Sequence, residues 1–545
     1  MKNFLNPILS VLSGLLLAFA WPTNGFAGLL FIAFIPLFIA HYRLNKIAVK
    51  AVKWKVFLHA YLTFFIWNII TTGWLYYSSA FGMWFAVLVN SLLMTLVFLV
   101  HHLVSKKVSS FTSSSFFIAI WLSFEYLHLH WDFSWPWLQL GNGFSESVSW
   151  IQWYEFTGVF GGSLWVLVVN TLLYNAWLQY SSRKENSVST KAIIIKGITI
   201  RYGIPALLII ALPISISHFL SINSITNDVE GTEVVILQPN IDPYSEKYDI
   251  SNSQMAENLM TLAVDSITAN TKLIIAPETT LASGMRLTGI NRNPALNRIK
   301  RFLFDYPNTY YLGGVSLGDS FKNKDKATSQ TNYIKNGDFY YNDYNSAVFM
   351  NSTNPVELYH KSKLVVGVEN FPYKNVLQPI LGDVMLDLGG TVATKTTQED
   401  REVFITRDSL KVAPIICYES VYGEYVTGYV NNGAQFLSII TNDGWWQNTQ
   451  GHKQHLSLAR LRAIETRKWI ARSANTGISA VINDYGKIIT TLGYEKKGAL
   501  KGTIYPNNKI TFYVKHGDFI ARVSVFLMLG IFLFSFTRRG VMKRK

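Results

Sequence analysis

The sequence predicts a membrane protein built from a polytopic α-helical domain of about eight spans and an extracytoplasmic α/β domain. Hydrophobic residues make up 49% of the 545-residue chain and aromatic residues 14%, which is more than an ordinary soluble chain of this length carries. The excess lies in apolar runs that approach the roughly 20 residues needed to cross a bilayer. Between residues 232 and 515, short β-branched runs alternate with helix-like stretches, a pattern typical of α/β domains.

Seven of the apolar runs precede this polar middle part and one follows it. They cover residues 5–21, 28–40, 56–76, 83–104, 111–127, 159–180, 202–220 and 519–536. We therefore expect an N-terminal membrane domain over residues 1–224, an α/β domain over 225–517, and a C-terminal span with a basic tail over 518–545.

The net charge of +15 indicates membrane topology rather than nucleic-acid binding. Eighteen Lys and Arg residues flank the apolar runs, and Glu185 is the only acidic residue that lies among them. The rest of the chain holds 31 basic and 33 acidic residues. Because cytoplasmic loops carry the positive excess, we expect both termini in the cytoplasm and the α/β domain outside it. The AFA at 18–20 resembles a signal-peptidase site, but we expect the segment to be retained, since its run continues the alternating charge pattern.

The chain has one cysteine, Cys417, so no intramolecular disulfide can form. Cys417 lies in APIICYES, at the end of a β-branched run and two residues before Glu419. A lone cysteine in an apolar run is usually an inert core residue, whereas a thiol beside a base or a cation is a nucleophile. Glu419 favours the second interpretation, because a charge directly beyond a buried strand is costly without a partner.

Glu278 in APETT and Lys361 in LYHKSKL also follow apolar runs directly. A carboxylate can take the proton of a thiol, and a lysine can lower the thiol pKa and stabilise an oxyanion. The backbone N–H of Tyr418 would be a second oxyanion donor. Glu278, Lys361 and Cys417 are 83 and 56 positions apart, so we expect them to meet where parallel strands lie side by side.

Several motifs resemble a known superfamily. PET at 277–279, YHKSKLV at 359–365 and ICYE at 416–419 resemble the Glu, Lys and Cys motifs of the nitrilase, or carbon-nitrogen hydrolase, superfamily, and TNDGWW at 441–446 is similar to the region after its cysteine. With seven runs before these motifs and one after, the chain resembles the bacterial apolipoprotein N-acyltransferase family. WLSFEYL at 121–127 and WPWLQLG at 135–141 extend the resemblance over essentially the whole chain.

The resemblance implies a nitrilase-like αββα fold, with Glu278 as general base, Lys361 as oxyanion stabiliser and Cys417 as nucleophile. The implied reaction is a ping-pong acyl transfer through a cysteine thioester. A membrane phospholipid donates the fatty acyl group, and the α-amine of the N-terminal diacylglyceryl-cysteine of an apolipoprotein accepts it. The implied location is the bacterial inner membrane with the catalytic domain on the periplasmic side. We expect a monomer without cofactor, metal or nucleic acid.

Four further residues have supporting roles by the same resemblance. Glu369 would position the lysine and the substrate, Tyr418 and Glu419 follow the nucleophile as they do in the family, and Trp445 would be an aromatic gate or acyl-chain contact. The segment LVVGVE at 364–369 departs from the usual Leu-Val-Pro-Phe-Gly-Glu, so we expect a different backbone before Glu369.

Two other functions remain open on the residues alone. A membrane-tethered amidase would use the same three residues with water as acceptor, although one span would suffice as its tether. A polytopic transporter or binding protein would place ionisable groups in the membrane, for which Glu125 is the main candidate. Trp131, Trp135 and Trp137 fit either interface anchors or a lateral entrance for lipid.

A helical pattern covers HKQHLSLARLRAIETRKWIARSA at 452–474. His452 and His455, three residues apart on it, have the spacing of a metal-binding pair. No third Cys or His ligand follows nearby, and the resembling family places a histidine at His455 without metal, so we expect both to pack or to form hydrogen bonds.

Overall fold

The computed structural model describes residues 4–46, 51–186, 191–222, 230–374, 376–378, 391 and 393–537. These residues form two compact units. The helical unit takes in the described residues of 1–76, 80–223 and 518–545, and the α/β unit takes in those of 77–79 and 224–517.

The helical unit consists of α-helices joined by turns and by one longer segment, residues 129–153, that contains two short 3₁₀ helices. They are α1 (Leu5–Phe19), α2 (Ile35–Lys46), α3 (Val52–Thr72), α4 (Ala80–Ser105), α5 (Ser110–His128), α6 (Tyr154–Asn186), α7 (Lys191–Ile198), α8 (Ile204–Ile222) and the C-terminal helix Phe519–Thr537. Aromatic side chains fill the interior, where Trp67 and Trp121 are fully buried.

The prediction of eight spans is wrong by two. In the described part of the chain, six segments are long and apolar enough to cross a membrane: Ala27–Lys46, Val52–Tyr77, Ala80–Ser105, Tyr154–Ser182, Ile195–Ile222 and Phe519–Thr537. Helix α1 has only 15 residues, fewer than the roughly 20 that a span needs. Helix α5 has 19 residues but includes serines, a threonine, a glutamate and a histidine, which lower its mean hydropathy.

Two residues singled out in the sequence prove to be internal to the helical unit. Trp137 is 1% exposed and stacks on Trp135 at 5.8 Å between ring centroids, so it is not an interface anchor. The buried Glu125 accepts hydrogen bonds from Trp121 Nε1 at 3.1 Å and from the backbone N–H of Leu140 at 2.9 Å. Its carboxylate therefore ties α5 to the following loop.

The last two apolar helices are largely uncovered. In an apolar 18-residue window of each segment, only 11% of the residues of Ile195–Ile222 and 17% of those of Phe519–Thr537 are buried. Phe219 and Phe526 are 65% and 75% exposed. Large exposed apolar surface needs a cover, and for helices of span length that cover is lipid.

The α/β unit contains two sheets. Their strands are β1 (Thr232–Gln238), β2 (Thr271–Ile275), β3 (Leu281–Arg286), β4 (Tyr310–Phe321), β5 (Asn332–Ile334), β6 (Phe339–Met350), β7 (Glu357–His360), β8 (Phe404–Ile405), β9 (Lys411–Ile416), β10 (Phe436–Thr441), β11 (Ile470–Ala474), β12 (Ser479–Ile482), β13 (Ile488–Leu492) and β14 (Gly498–Ile504). The first sheet has the order β14-β1-β2-β4-β6-β5, with β3 paired to β4 and β7 to β6, and the second has the order β13-β12-β11-β10-β9-β8. Strands β1, β2 and β4 are parallel, as are β9, β10 and β11.

The sheets lie between layers of helices, which are α9 (Asn252–Val264), α10 (Pro294–Leu303), α11 (Gly423–Asn431), α12 (Gln450–Thr466) and α13 (Phe512–His516). On β1, Val235 and Leu237 belong to the core that includes Leu259 of α9, while Ile236 is fully buried on the opposite face. Ser473 Oγ of the second sheet donates to Leu237 O of the first at 2.7 Å. The predicted αββα class is therefore confirmed.

The predicted helix over 452–474 is wrong beyond Thr466. Arg467 has a φ of +51°, and this left-handed conformation ends a helix. Residues Ile470–Ala474 then form β11, which pairs with β10 and β12. A short apolar run does not distinguish a buried strand from a buried helix.

We expect Leu437→Ala to destabilise the protein by about 2–5 kcal/mol, because Leu437 lies fully buried in β10 and the truncation leaves a cavity. Scanning fluorimetry of the purified full-length protein would show this as a lower Tm. Ile489→Ala on β13 is the control, since Ile489 is 51% exposed and its loss should cost about 0.5 kcal/mol or less. Equal Tm values for the two variants would contradict the packing described here.

Candidate active site

Glu278, Lys361 and Cys417 follow strands β2, β7 and β9, and the strands are not neighbours as expected. Strands β2 and β7 belong to the first sheet, with β4 and β6 between them, and β9 belongs to the second sheet. The expectation of adjacent parallel strands is therefore wrong. The residues meet because the carboxyl ends of these strands lie at the same end of two stacked sheets.

A buried charge cluster occupies this end of the α/β unit. Lys361 Nζ lies 2.9 Å from Glu278 Oε1 and 2.9 Å from Glu369 Oε2, and these three residues are 1%, 6% and 9% exposed. Asn345 Nδ2 donates to Glu278 Oε1 at 2.8 Å and to Glu369 Oε1 at 2.9 Å. Asn345 is a site residue that the sequence analysis missed, and its only signal was a polar side chain at the start of the apolar run on β6.

The ion pairs within this cluster determine the protonation states of Glu278 and Lys361. Burial alone would raise the pKa of Glu278, but Lys361, Asn345 and Lys247 together lower it below its usual value. Burial likewise opposes the charge of Lys361, and Glu278, Glu369 and Cys417 nevertheless raise its pKa well above the usual value. Glu278 is therefore an ionised carboxylate and Lys361 an ammonium at neutral pH.

The backbone around Glu278 is built for close approach. Thr279 has a φ of +44°, and a Cβ added at Gly314 of β4 would collide with the backbone of Glu278 and Thr279. The backbone N–H of Asn442, after β10, donates to Glu278 Oε2 at 3.1 Å. Both oxygens of this carboxylate are thus held, one by each sheet.

Glu369 reaches Lys361 despite the unusual segment before it. Its Oε2 accepts from the backbone N–H of Val365 at 2.9 Å, and Gly367 adopts a φ of +79°, a conformation that glycine takes without strain. A single glycine two residues before Glu369 therefore makes the turn in this segment.

Cys417 directly follows β9 and begins a short 3₁₀ helix, Cys417–Val421. Its φ is +48°, a strained conformation for a residue with a side chain, of the kind that occurs at functional sites. The residue is 8% exposed. Burial and the Glu278 charge raise the pKa of the thiol, while Lys361 and a hydrogen bond with Thr441 lower it in part. The thiol is therefore protonated at neutral pH, with an ionised carboxylate near it.

A buried network holds the carbonyl oxygen of Cys417. Ser420 Oγ donates to it at 2.7 Å, and His455 Nε2 lies 3.3 Å from it. His455 Nδ1 lies 2.9 Å from Asp443 Oδ1, and Asp443 Oδ2 pairs with Arg472 at 2.6 Å. His455 thus forms hydrogen bonds, as expected, and supports the turn that carries the thiol.

Glu419 connects this turn to the lysine. Its side chain is fully buried and accepts hydrogen bonds from Tyr359 OH at 2.6 Å, Ser362 N at 2.7 Å, Ile416 N at 2.8 Å, Tyr425 OH at 3.1 Å and Tyr429 OH at 3.2 Å. Since Ser362 is next to Lys361 and Ile416 is next to Cys417, one carboxylate fixes Lys361 relative to Cys417. The tyrosines were not anticipated from the sequence.

The remaining predicted residues lie beside the centre. Tyr418 is buried and meets Tyr422 edge to face at 5.3 Å. Trp445 is half-buried after β10 and meets Tyr244 edge to face at 5.1 Å. Lys247 Nζ lies 5.7 Å from the centre of the Trp445 ring.

The two histidines contact different aromatic side chains. His452 stacks on Tyr494 at 4.3 Å between ring centroids, and its Nε2 lies 3.3 Å from Asn448 Oδ1. Among the described residues, no group of three or more His, Cys, Asp or Glu side chains has a metal-binding arrangement.

Two families match this chain. Residues 13–172 match the apolipoprotein N-acyltransferase N-terminal domain, and residues 233–508 match carbon-nitrogen hydrolase. Proteins named apolipoprotein N-acyltransferase from Chlorobaculum tepidum, Geobacter metallireducens and Thermotoga maritima are 27%, 23% and 24% identical to it. The alignments cover 94%, 98% and 98% of this chain and 93%, 96% and 94% of those proteins.

Two solved structures are similar to about half of this chain. An amidase from Nesterenkonia matches 55% of this chain and 98% of its own, with 13% identity and a TM-score of 0.36. A Saccharomyces cerevisiae member of branch 10 of the nitrilase superfamily matches 52% of this chain and 93% of its own, with 14% identity and a TM-score of 0.35.

We expect Glu419→Gln to lower both Tm and activity. The N–H groups of Ser362 and Ile416 donate to different oxygens of Glu419, and the amide nitrogen of Gln cannot replace the second acceptor. A buried donor left without an acceptor costs about 1–3 kcal/mol, and a shift of the lysine by about 1 Å would cost roughly 100-fold in rate. Scanning fluorimetry and an acylation assay would measure the two effects. The exposed Glu402→Gln is the control, and a Glu419→Gln variant indistinguishable from it would refute this positioning role.

We expect Asp443→Asn to lower Tm most at neutral pH. Burial alone would raise the pKa of Asp443, but Arg472 and His455 outweigh it and hold the pKa well below the usual range. A depressed pKa stabilises the folded state above the unfolded pKa of about 3.9 and loses that contribution as pH falls.

Breaking a buried pair costs roughly 3–5 kcal/mol, which sets the Tm difference between wild type and Asp443→Asn at neutral pH. This Tm difference should narrow as the pH falls from about 6 to 3. Scanning fluorimetry of both proteins over this range measures it. A gap that stays constant would mean that the carboxylate charge does not stabilise the fold.

Proposed function

We propose, because this chain belongs to the carbon-nitrogen hydrolase family, that it transfers a fatty acyl group from a membrane phospholipid to apolipoproteins through a thioester on Cys417. By homology over nearly its full length, it is an apolipoprotein N-acyltransferase. The observation that carries the mechanism is the buried contact of Lys361 with Glu278 and Glu369. It supports a carboxylate base and a fixed ammonium for Cys417, whose pKa responds to the charges of both Glu278 and Lys361.

In the first half-reaction, Glu278 takes the proton of the Cys417 thiol as the sulfur attacks the ester carbonyl of the phospholipid. The ammonium of Lys361 stabilises the oxyanion, and we assign the second donor to the backbone N–H of Tyr418. The C–O bond of the ester then breaks. The leaving oxygen takes the proton from Glu278, so that a lysophospholipid departs and the acyl group stays on sulfur.

In the second half-reaction, the neutral α-amine of a diacylglyceryl-cysteine attacks the thioester. Glu278 removes the proton that the nitrogen loses as the new amide forms, and returns it to the departing sulfur. The site is then restored with a neutral thiol and an ionised Glu278. Since the raised pKa of Cys417 and the lowered pKa of Glu278 keep the proton on sulfur between turnovers, each cycle starts from the same state.

The membrane placement follows from the end of the chain. Five candidate spans precede the α/β unit and one follows it. The residues after the last span are basic, with five Lys or Arg among the final eight. By the positive-inside rule this tail is cytoplasmic, which puts the α/β unit on the periplasmic side of a bacterial inner membrane, where lipid-anchored substrates of the outer leaflet are available.

Acylation of Cys417 tests the first half-reaction. We expect intact-protein mass spectrometry of the full-length protein, incubated with phospholipid vesicles, to show an acyl adduct that neutral hydroxylamine removes and that Cys417→Ala lacks, because a thioester is hydroxylamine-labile and needs the thiol.

The acceptor decides between acyltransferase and amidase. A lipopeptide with a free diacylglyceryl-cysteine amine should discharge the adduct and gain its mass, whereas the same lipopeptide with an acetylated amine should not. A wild-type protein whose Cys417 acquires no acyl group from phospholipid would overturn the proposal. Discharge to water at the same rate with either lipopeptide would favour the amidase.

A further inference from the structure

A second lysine lies at the same end of the α/β unit as the catalytic cluster. Lys247 follows β1 and is only 6% exposed. Its Nζ donates to Thr279 Oγ1 at 2.5 Å, and Thr279 is the residue directly after Glu278. No step of the proposed mechanism uses this lysine.

The ammonium of Lys247 is placed against aromatic rings rather than against an acid. Its Nζ lies 5.7 Å from the centre of the Trp445 ring and 5.9 Å from that of Tyr248, within the range of a cation–π contact. Tyr248 is 63% exposed. Among the described residues, no carboxylate oxygen lies within ion-pair distance of Lys247, and Thr279 uses one of its three N–H donors.

The charged cluster beside Lys247 is negative without it. Glu278 and Glu369 carry two negative charges and Lys361 one positive charge, so without Lys247 the site has a net charge of −1. A phospholipid whose ester lies at Cys417 brings the anionic phosphate of the same molecule close by, and like charges repel strongly in a buried site. Burial lowers the pKa of Lys247, while Glu278 and Cys417 raise it in part, and the result is a pKa of about 8. Lys247 is therefore still mainly protonated at neutral pH.

We propose that Lys247 binds the phosphate of the acyl donor, through its two remaining N–H groups, while the ester of the same lipid lies at Cys417. A lysine binds phosphate as a point charge, which makes the contact independent of the rest of the headgroup. The acceptor, a diacylglyceryl-cysteine, carries no phosphate, so the lysine acts only in the first half-reaction. This inference rests on the proposed acyl transfer and identifies the anion-binding residue of its donor.

The test compares two acyl donors on the full-length protein, a phospholipid and p-nitrophenyl palmitate, which has an activated ester but no phosphate. The measured quantity is the ratio of kcat/KM for Cys417 acylation by the two donors. We expect Lys247→Gln to lower this ratio about 10- to 100-fold, the effect of losing one hydrogen bond to a charged group. Lys247→Arg, which keeps the charge, should restore most of it.

Lys487→Gln is the matched control, since Lys487 is an exposed lysine between β12 and β13 and its loss should leave the ratio unchanged. An unchanged ratio in Lys247→Gln, or an equal fall in Lys487→Gln, would overturn the inference while leaving the proposed function intact. A wild-type protein that takes no acyl group from phospholipid overturns both.

A measurement on the wild-type protein alone covers the case in which Lys247→Gln does not fold. A donor whose phosphate is methylated to a neutral triester should react about 10- to 100-fold more slowly than the parent phosphodiester lipid, because the charge that the ammonium binds is gone. Equal rates for the two lipids would contradict a phosphate contact.

Discussion

The α/β unit depends on one constraint, the burial of Glu278, Lys361 and Glu369 in mutual contact. An ion taken out of water costs several kcal/mol, and removing one partner of a buried pair typically costs about 3–5 kcal/mol. The cluster is therefore tolerated only if its geometry is closely held. Asn345 bridges the two carboxylates, and Gly314 lets the backbone of Glu278 come close to β4. Both features hold the buried charges in the geometry that compensates for their loss of water.

The same burial determines the protonation state of Cys417. Low dielectric surroundings and the Glu278 charge raise the pKa of the Cys417 thiol, so this cysteine differs from those that are activated as standing thiolates. In the proposed mechanism its proton moves as the sulfur attacks, which requires the base and the sulfur to be held close together beforehand. Glu419 meets that need by binding backbone on both sides, at Ser362 and Ile416. Its five hydrogen bonds explain how a fully buried carboxylate is tolerated two residues after the nucleophile.

The charge arrangement also connects the site to a lipid substrate. The acceptors, water or a free amine, are neutral and need no additional cation in the site. The proposed donor is different, because a phospholipid brings an anionic phosphate with every acyl group. Lys247 and Lys361 together balance the charges of the two carboxylates, and Lys247 forms no ion pair of its own among the described residues. The exposed apolar surface of α8 and of the C-terminal helix requires a lipid environment, and those two helices flank the α/β unit in the chain.

The sequence by itself determined the elements and the reactive groups, because both are local properties. Apolar runs of span length indicated the membrane helices, alternating runs indicated an α/β domain, and the resemblance carried by the motifs around Glu278, Lys361 and Cys417 implied the αββα layers and the candidate residues. Two spans were predicted wrongly because α1 is too short and α5 too polar to cross a membrane. The helical pattern misled where tertiary contacts prevail, since residues 470–474 form a strand between two others instead of continuing a helix. Only the tertiary structure decided how the three residues meet, across two sheets rather than between adjacent strands. It alone showed that Asn345, Lys247, Asp443 and three tyrosines surround them, because burial and charge pairing between distant segments exist only once the chain is folded.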